Sequence, residues 1–318
     1  MQTYYIISSG TINRDGDTLK FSNSNENRII PLENIESIVI SGNVSITKPA
    51  ISILSKNNIS VFFMSMYDNY ISSLIPEDYL LSGKVIMNQA IKAYNMDERL
   101  KIARIFVYGA ARNMAVILKR GNMGTIRIPY KEIMESKDIN QLMSYEGNFR
   151  NNFLNIIDKY LPEHYRIIKR SRRPPRNKMN ALISFLNMLL YSIIESQIFL
   201  THLNPSISFL HEPFERRNSL SLDVSEIFKP LICDRLAIKM VKLKIIKDSD
   251  FLEENGVFLN ENGRKKVVKM FDDKLQETVY SSSLKRYVSY KYLIRLELYK
   301  IEKYILDGKK YKPYISRK

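Results

Sequence analysis

A histidine and two carboxylates lie within one stretch of this 318-residue chain: His211, Asp223 and Glu226, with Arg216 and Arg217 between them. The spacing places the imidazole in a loop feeding a helix that carries both acids. Asp223 and Glu226 are three apart, so on a helix they share a face. Imidazole nitrogen with carboxylate oxygen is a donor set suited to Mn²⁺ or Mg²⁺, with phosphate oxygens filling the open positions. A plainer reading of Asp-x-x-Glu before an apolar run is an N-cap and its N3 partner, which needs no metal. The two are compatible, since Asp223 could cap while Glu226 points inward. A lone histidine is as readily structural, and His164 and His202 fall near expected helix ends, where the helix dipole accounts for them.

A third acid stands upstream. Leu142, Phe149, Phe153, Ile156 and Tyr160 recur at helical spacing, and Glu146 falls on the same stripe. A carboxylate facing a core is costly unless it is paired or holds a metal. Arg150, four residues on, offers the pairing, and ligation is the alternative. Asn180, Ser184, Asn187, Tyr191 and Glu195 form a polar stripe on an otherwise apolar helix, which either faces solvent or walls a groove. Ahead of it runs Lys169-Arg-Ser-Arg-Arg-Pro-Pro-Arg176, a proline-stiffened basic loop read as phosphate-contacting.

Composition points the same way. Forty-nine Lys and Arg against 33 Asp and Glu leave a net charge of +16, which favours a polyanionic partner, nucleic acid or an anionic membrane surface. The single cysteine, Cys233, excludes an internal disulfide, fits a reducing cytosol and reads as a small buried hydrophobe. Residues 181–200 are apolar enough to be weighed as a membrane span. Ser184, Asn187, Ser192, Glu195, Ser196 and Gln197 interrupt them and mark a core helix instead. No basic start followed by an apolar core and cleavage site is seen at the chain's beginning, so a signal peptide is not expected. It holds no phosphate-binding Gly-x-x-x-x-Gly-Lys-Ser/Thr loop, no zinc-type Cys/His spacing and no Gly-x-Ser-x-Gly elbow. The expectation is a soluble, cytoplasmic, polyanion-binding protein without a membrane partner.

These side chains need a scaffold. Short β-branched and aromatic runs at 4–8, 35–40, 60–64 and 70–74 read as strands, with one helix over 48–55. Past Pro76 and Gly83 the pattern turns helical, over about 85–119, 139–160, 177–200, 223–245, 261–276 and 286–306, and Pro230 should kink one of these or mark its start. The expected fold class is α+β: an N-terminal β-rich domain over residues 1–80, followed by a larger all-α domain over 81–318 that carries the metal site. The β domain is the expected dimer contact, with Ile35, Ile38 and Ile40 offering a pairing edge.

Assembled, these segments resemble the CRISPR-associated endonucleases that integrate new spacers, the Cas one family, over essentially the whole chain. The N-terminal likeness is general: Ile30-Pro-Leu-Glu33, Ser41-Gly-Asn-Val-Ser-Ile-Thr47, Ser82-Gly83 and Gln89. The C-terminal likeness is specific. It rests on Tyr145-Glu-Gly147, the segment from Arg172 to Phe185, Asn204-Pro-Ser-Ile-Ser-Phe-Leu-His-Glu-Pro213, Ser219-Leu-Ser-Leu-Asp-Val-Ser-Glu-Ile-Phe-Lys-Pro230 and the closing Lys310-Tyr-Lys-Pro-Tyr314.

The resemblance implies that Glu146, His211 and Glu226 hold one Mg²⁺ or Mn²⁺, with Asp223 as a nearby supporting acid. It implies phosphate and strand contacts from Arg172, Arg173, Arg176, Asn180, Arg216, Arg217 and Lys229. The implied reaction is attack of a captured fragment's 3′-hydroxyl on a phosphodiester at the edge of a CRISPR repeat, with nuclease action on branched or linear DNA when water attacks. The implied assembly is a homodimer joined to the small ferredoxin-like partner, Cas two. Two other classes stay open: a non-catalytic DNA-bridging protein, and a transposase-like relative serving a mobile element.

Overall fold

The computed structural model describes residues 2–65, 70–77, 80–213 and 218–316. Its N-terminal part is built of two four-stranded sheets. The first has the order β1 (Gln2–Ile6), β5 (Ile35–Ile40), β7 (Ser60–Met64) and β8 (Tyr70–Leu74); β1, β5 and β7 run parallel and β8 antiparallel. The second has the order β4 (Asn27–Ile30), β3 (Thr18–Ser22), β2 (Gly10–Asp15) and β6 (Val44–Ile46). The helix α1 (Lys48–Lys56) packs its Ala50, Ile53 and Leu54 into the same core as the second sheet.

β5 is buried along its whole length because it is covered on both faces. Side chains alternate across a strand, so Ile38 and Ile40 join Ile12, Leu19 and Phe21 on one side, while Val39 joins the helical core on the other. This corrects the expected pairing edge. Ile35, Ile38 and Ile40 are 5%, 0% and 2% exposed in a central strand, and their burial comes from within the chain. The edges of this sheet among the described residues are β1 and β8.

The rest is mostly helical, which gives an α+β fold. The expected helix over 85–119 is two helices, α2 (Gly83–Tyr94) and α3 (Met96–Arg120), divided where the Asn95 carboxamide accepts from the backbone N–H groups of Asp97 and Glu98, both at 3.1 Å. After α4 (Tyr130–Met134) come α5 (Ile139–Asp158) and α6 (Lys178–Ile198). α6 has the length and apolarity of a membrane span, yet 89% of its apolar window is buried inside the fold, so it is the central core helix.

The expected helix over 223–245 is broken in three. α7 (Ser219–Phe228) begins four residues early, with Asn218 in the N-cap position, so Asp223 and Glu226 do not cap a helix. Pro230 has no N–H to continue it, and residues 230–234 widen into a π turn in which the Asp234 N–H donates to the Lys229 carbonyl at 3.0 Å. α8 (Arg235–Lys242) follows.

Two short hairpins were not foreseen: β9 (Phe251–Glu253) with β10 (Val257–Leu259), and β11 (Thr278–Ser281) with β12 (Arg286–Ser289), on either side of α9 (Glu261–Gln276). β12 takes the first turn expected of the last helix, and α10 (Tyr290–Asp307) starts at a Ser289 cap.

Two contacts fix the layers around the acids. Glu36 of β5 reaches Arg295 at 2.8 Å and Lys291 at 3.3 Å on α10 and accepts from Gln197 of α6, tying sheet to helices. The C-terminal segment returns beneath α7, where Tyr314 stacks on Phe228 with ring centroids 6.1 Å apart. It also crosses α3 at Gly109, where a Cβ would stand 2.8 Å from Pro313, so only glycine admits that approach.

Candidate active site

Asp223 is the keystone of the site. It is fully buried on α7, and its carboxylate accepts from the backbone N–H groups of Phe209 at 2.6 Å, Leu210 at 2.9 Å and His211 at 2.9 Å. The same group holds His211 Nδ1 at 2.8 Å. This fixes the imidazole and leaves Nε2 without a partner among the described residues. Burial lowers the His211 pKa, but the Asp223 hydrogen bond and charge outweigh it and carry the net shift upward. An acid that orients a histidine through one ring nitrogen sets the other up to ligate or to exchange a proton.

Glu226 lies one turn further along α7, 8% exposed. Its carboxylate meets Lys229 Nζ at 2.5 Å, and burial is outweighed by the charges of Lys229 and His211, so its pKa falls. Lys229 also sits over the Tyr191 ring of α6, 5.1 Å from its centroid. Glu146 enters from α5. Burial, and then the negative charge of Glu226, push its pKa up to about 7, against the attractions of Lys229, Arg150 and Arg172. Its expected partner has been taken: Arg150 forms a bidentate pair with Asp234 at 2.5 and 2.7 Å. The Glu146 carboxylate is left without a hydrogen bond or ion pair among the described residues.

Glu146, Glu226 and His211 thus converge electrostatically from two helices and a loop. Among the described residues no three His, Cys, Asp or Glu side chains already stand at ligating separation. The Lys229 ammonium stands on Glu226 instead. The donor set still fits a hard divalent ion: a carboxylate without a partner, an imidazole nitrogen left open by its tautomer, and a carboxylate compensated by the Lys229 ammonium and the His211 ring.

The polar stripe of α6 is buried at its ends, Asn180 and Glu195, and half-buried at Ser184, Asn187 and Tyr191, where Tyr191 underlies Lys229 of this site. Arg170 donates to Asn180 Oδ1 at 2.9 Å and to Ser184 Oγ at 3.1 Å, which pins the basic loop to the helix. Asn180, expected to contact DNA, is fully buried, with its amide on the Lys169 carbonyl at 2.9 Å, and it ties the basic loop to α6. Glu195 closes the stripe, 2% exposed, accepting from Tyr70 at 3.3 Å.

Arg172, Arg173 and Arg176 are exposed on the loop, and Arg172 acts on the Glu146 charge. Arg216 and Arg217 lie outside the described residues. Away from the site, His202 pairs with Glu302 at 2.9 Å and His164 stands 3.9 Å from Asp248, while Cys233 is buried against α6. Sequence reasoning missed Asp234; Tyr191 stood in the polar stripe and Arg170 in the basic loop, but neither was singled out as a site residue.

Residues 4–273 match the family described as CRISPR associated protein Cas1. The chain belongs to the Cas1 family. Over 313 residues it is 40% identical to the CRISPR-associated endonuclease Cas1 of Methanocaldococcus jannaschii, covering 98% of this chain and 97% of that one. The solved structure of a Cas1 protein from Thermotoga maritima is 34% identical and superposes with a TM-score of 0.87 over the whole of both chains. The Cas1 fold extends to a casposase bound to an integration product, which has a TM-score of 0.88 at 20% identity and covers 100% of this chain and 96% of that one. Within this Cas1 fold, two acids and an oriented histidine beneath an arginine loop can gather a cation, a phosphodiester and a proton acceptor in one place.

Proposed function

We propose that this Cas1-family chain is a metal-dependent DNA endonuclease and strand-transfer integrase that inserts short foreign DNA fragments into a CRISPR array. The observation that carries this reading is a buried Glu146 carboxylate that feels the charge of Glu226, which in turn feels that of His211, whose Nε2 is open. Glu146, His211 and Glu226 would hold the Mg²⁺ or Mn²⁺. When bound, such an ion supplies Lewis acidity toward a phosphoryl oxygen and compensates the developing charge. The chain's own residues do the rest. Asp223 keeps the imidazole aimed. Lys229 compensates Glu226, and with the ion bound it would be free to meet phosphate. Arg172, Arg173 and Arg176 hold the strand, joined by Arg216 and Arg217.

Strand transfer trades one phosphodiester for another and is close to neutral in energy, which suits a chain with no nucleotide-hydrolysis motif. The reading places the protein in the cytoplasm as a homodimer on DNA, with Cas two as its small partner. The 40%-identical relative is a CRISPR endonuclease, which favours this reading over a mobile-element transposase, since the casposase likeness at 20% identity carries the fold alone. Incubating the protein with a repeat-bearing plasmid and a short 3′-hydroxyl duplex in Mn²⁺ is the test. Joined product from the wild type and none from Glu146→Ala supports it. Tight DNA binding with no cleavage or joining in any divalent ion would make the protein a bridging factor.

A further inference from the structure

Ile168 has a backbone φ of +55° and a side chain 87% exposed. A β-branched residue rarely adopts left-handed backbone, because its Cβ crowds the following carbonyl. The other non-glycine residues there are Asn34, Asn58, Asn122, Lys244 and Lys285, none of them β-branched. Nothing in the burial of Ile168 offsets this, since the side chain projects outward.

The conformation is imposed from both sides. The Ile167 N–H donates to the Asp158 carboxylate at the end of α5. The Ile167 carbonyl accepts from Asn177 Nδ2 at 2.8 Å and from the Lys169 N–H at 2.5 Å, closing a three-residue turn on Ile168. The Lys169 carbonyl is taken by the buried Asn180 amide at 2.9 Å. Side chains anchored to α5 and α6 therefore clamp the peptide groups on either side of Ile168, and an apolar tip is held out of a rigid base.

The surroundings say what that tip meets. Arg166, Lys169, Arg172 and Arg173 are exposed around it, and no acid occurs between Glu163 and Glu195. The charge of Arg172 reaches Glu146. Such a field attracts phosphates, and an apolar side chain held among phosphate-binding cations is the arrangement that parts stacked bases.

We propose that Ile168 is a wedge that inserts at a base step of the bound DNA and unstacks the strand as it approaches Glu146. This rests on the DNA-processing reading above.

The test uses the full chain in metal-free buffer with a splayed-end duplex carrying 2-aminopurine at successive positions around the junction. The expected result is a severalfold rise in fluorescence at one step with the wild type. Ile168→Gly should abolish that rise, while affinity falls less than about threefold because phosphate contacts dominate it. Its melting temperature should be unchanged or higher, since glycine accepts a positive φ freely. Ile168→Leu should keep most of the rise. An undiminished rise in Ile168→Gly, or no rise at any position with the wild type, overturns the wedge. Mn²⁺-dependent cleavage is measured in parallel. A rise that depends on Ile168 in a wild type that does not cleave leaves the wedge standing and overturns the catalytic reading.

Discussion

Four acceptances fill the Asp223 carboxylate, three from backbone N–H groups and one from His211 Nδ1, so neither oxygen is spare for a metal. Asp223 and Glu226 therefore separate by task although they share a helix. Glu146→Ala, His211→Ala and Glu226→Ala should each abolish Mn²⁺-dependent cleavage. Glu146→Ala should melt no lower than the wild type, because its acid is buried at a cost that the metal-free protein does not recover. Asp223→Ala should act differently. It should lower cleavage by about ten- to hundredfold, as loss of a residue that orients a ligand does. It should also lower the melting temperature, because a buried N–H left unsatisfied costs about 1–3 kcal/mol. Thermal melting beside nuclease assays of the four variants checks both effects. An Asp223→Ala protein that melts like the wild type would remove the positioning role. Residue spacing showed these four residues but not their division of labour, which only the family resemblance implied. Asp-x-x-Glu reads the same whether the aspartate caps, ligates or ties a loop. The loop that Asp223 ties is 12 to 14 residues away in the chain.

Among the elements, α6 shows how a core helix can carry a titrating group. Burial pushes the Glu195 pKa up to about 8, against hydrogen bonds from Tyr70 and Asn218 that lower it. The folded pKa lies above the ordinary 4.5, so the stability linked to the protonated acid is fully present below pH 4.5 and is lost as pH rises through about 8. The metal-free protein should melt at falling temperature from pH 6 to 9, and Glu195→Gln should flatten that slope. A wild-type slope retained in the variant would assign it to other groups. The junction between sheet and helices rests on Glu36 with Lys291 and Arg295. Glu36→Ala should cost about 3–5 kcal/mol in chemical denaturation, because removing one member of a buried ionic group strands the others. A loss below about 1 kcal/mol would show a solvated, surface-like pair. The strand runs of the first sheet, α1 and α9 were legible from periodicity and caps, whereas the four strands of the second sheet were not. The break of 223–245 into α7, π turn and α8 was legible only at Pro230. The partner of Arg150 was not legible at all, because the i+4 rule points to Glu146 while the π turn brings Asp234 into reach.

For the whole molecule the deciding quantity is charge. With a net +16, DNA affinity should fall steeply with salt and vary little with sequence. Replacing Arg172, Arg173 and Arg176 together with alanine should shallow the log–log salt slope by about one unit per lost contact. A slope unchanged within error would make the loop solvated surface. One chain supplies one Glu146, His211 and Glu226 set, and joining both ends of a fragment needs two cuts, so the active form should be a dimer with two separate sites. Light scattering together with two-ended integration checks this. A monomer that joins both ends would overturn the two-site scheme.

The amino-acid sequence by itself determined the chemistry available: the acids and histidine, the cations of the basic loop, the α+β order of elements and the polar stripe on a buried helix. Those follow from residue type and short-range periodicity, which act within a few residues. Tertiary structure alone decided which groups meet. It gave Arg150 to Asp234 and left Glu146 open, put Lys229 on Glu226, sank Asn180 beneath the basic loop and buried Ile35, Ile38 and Ile40 at the centre of a sheet. It also held Ile168 out at a backbone angle its side chain disfavours. Each of these is a long-range contest for partners, settled by where packing places the competing groups and not by the local sequence around any one of them.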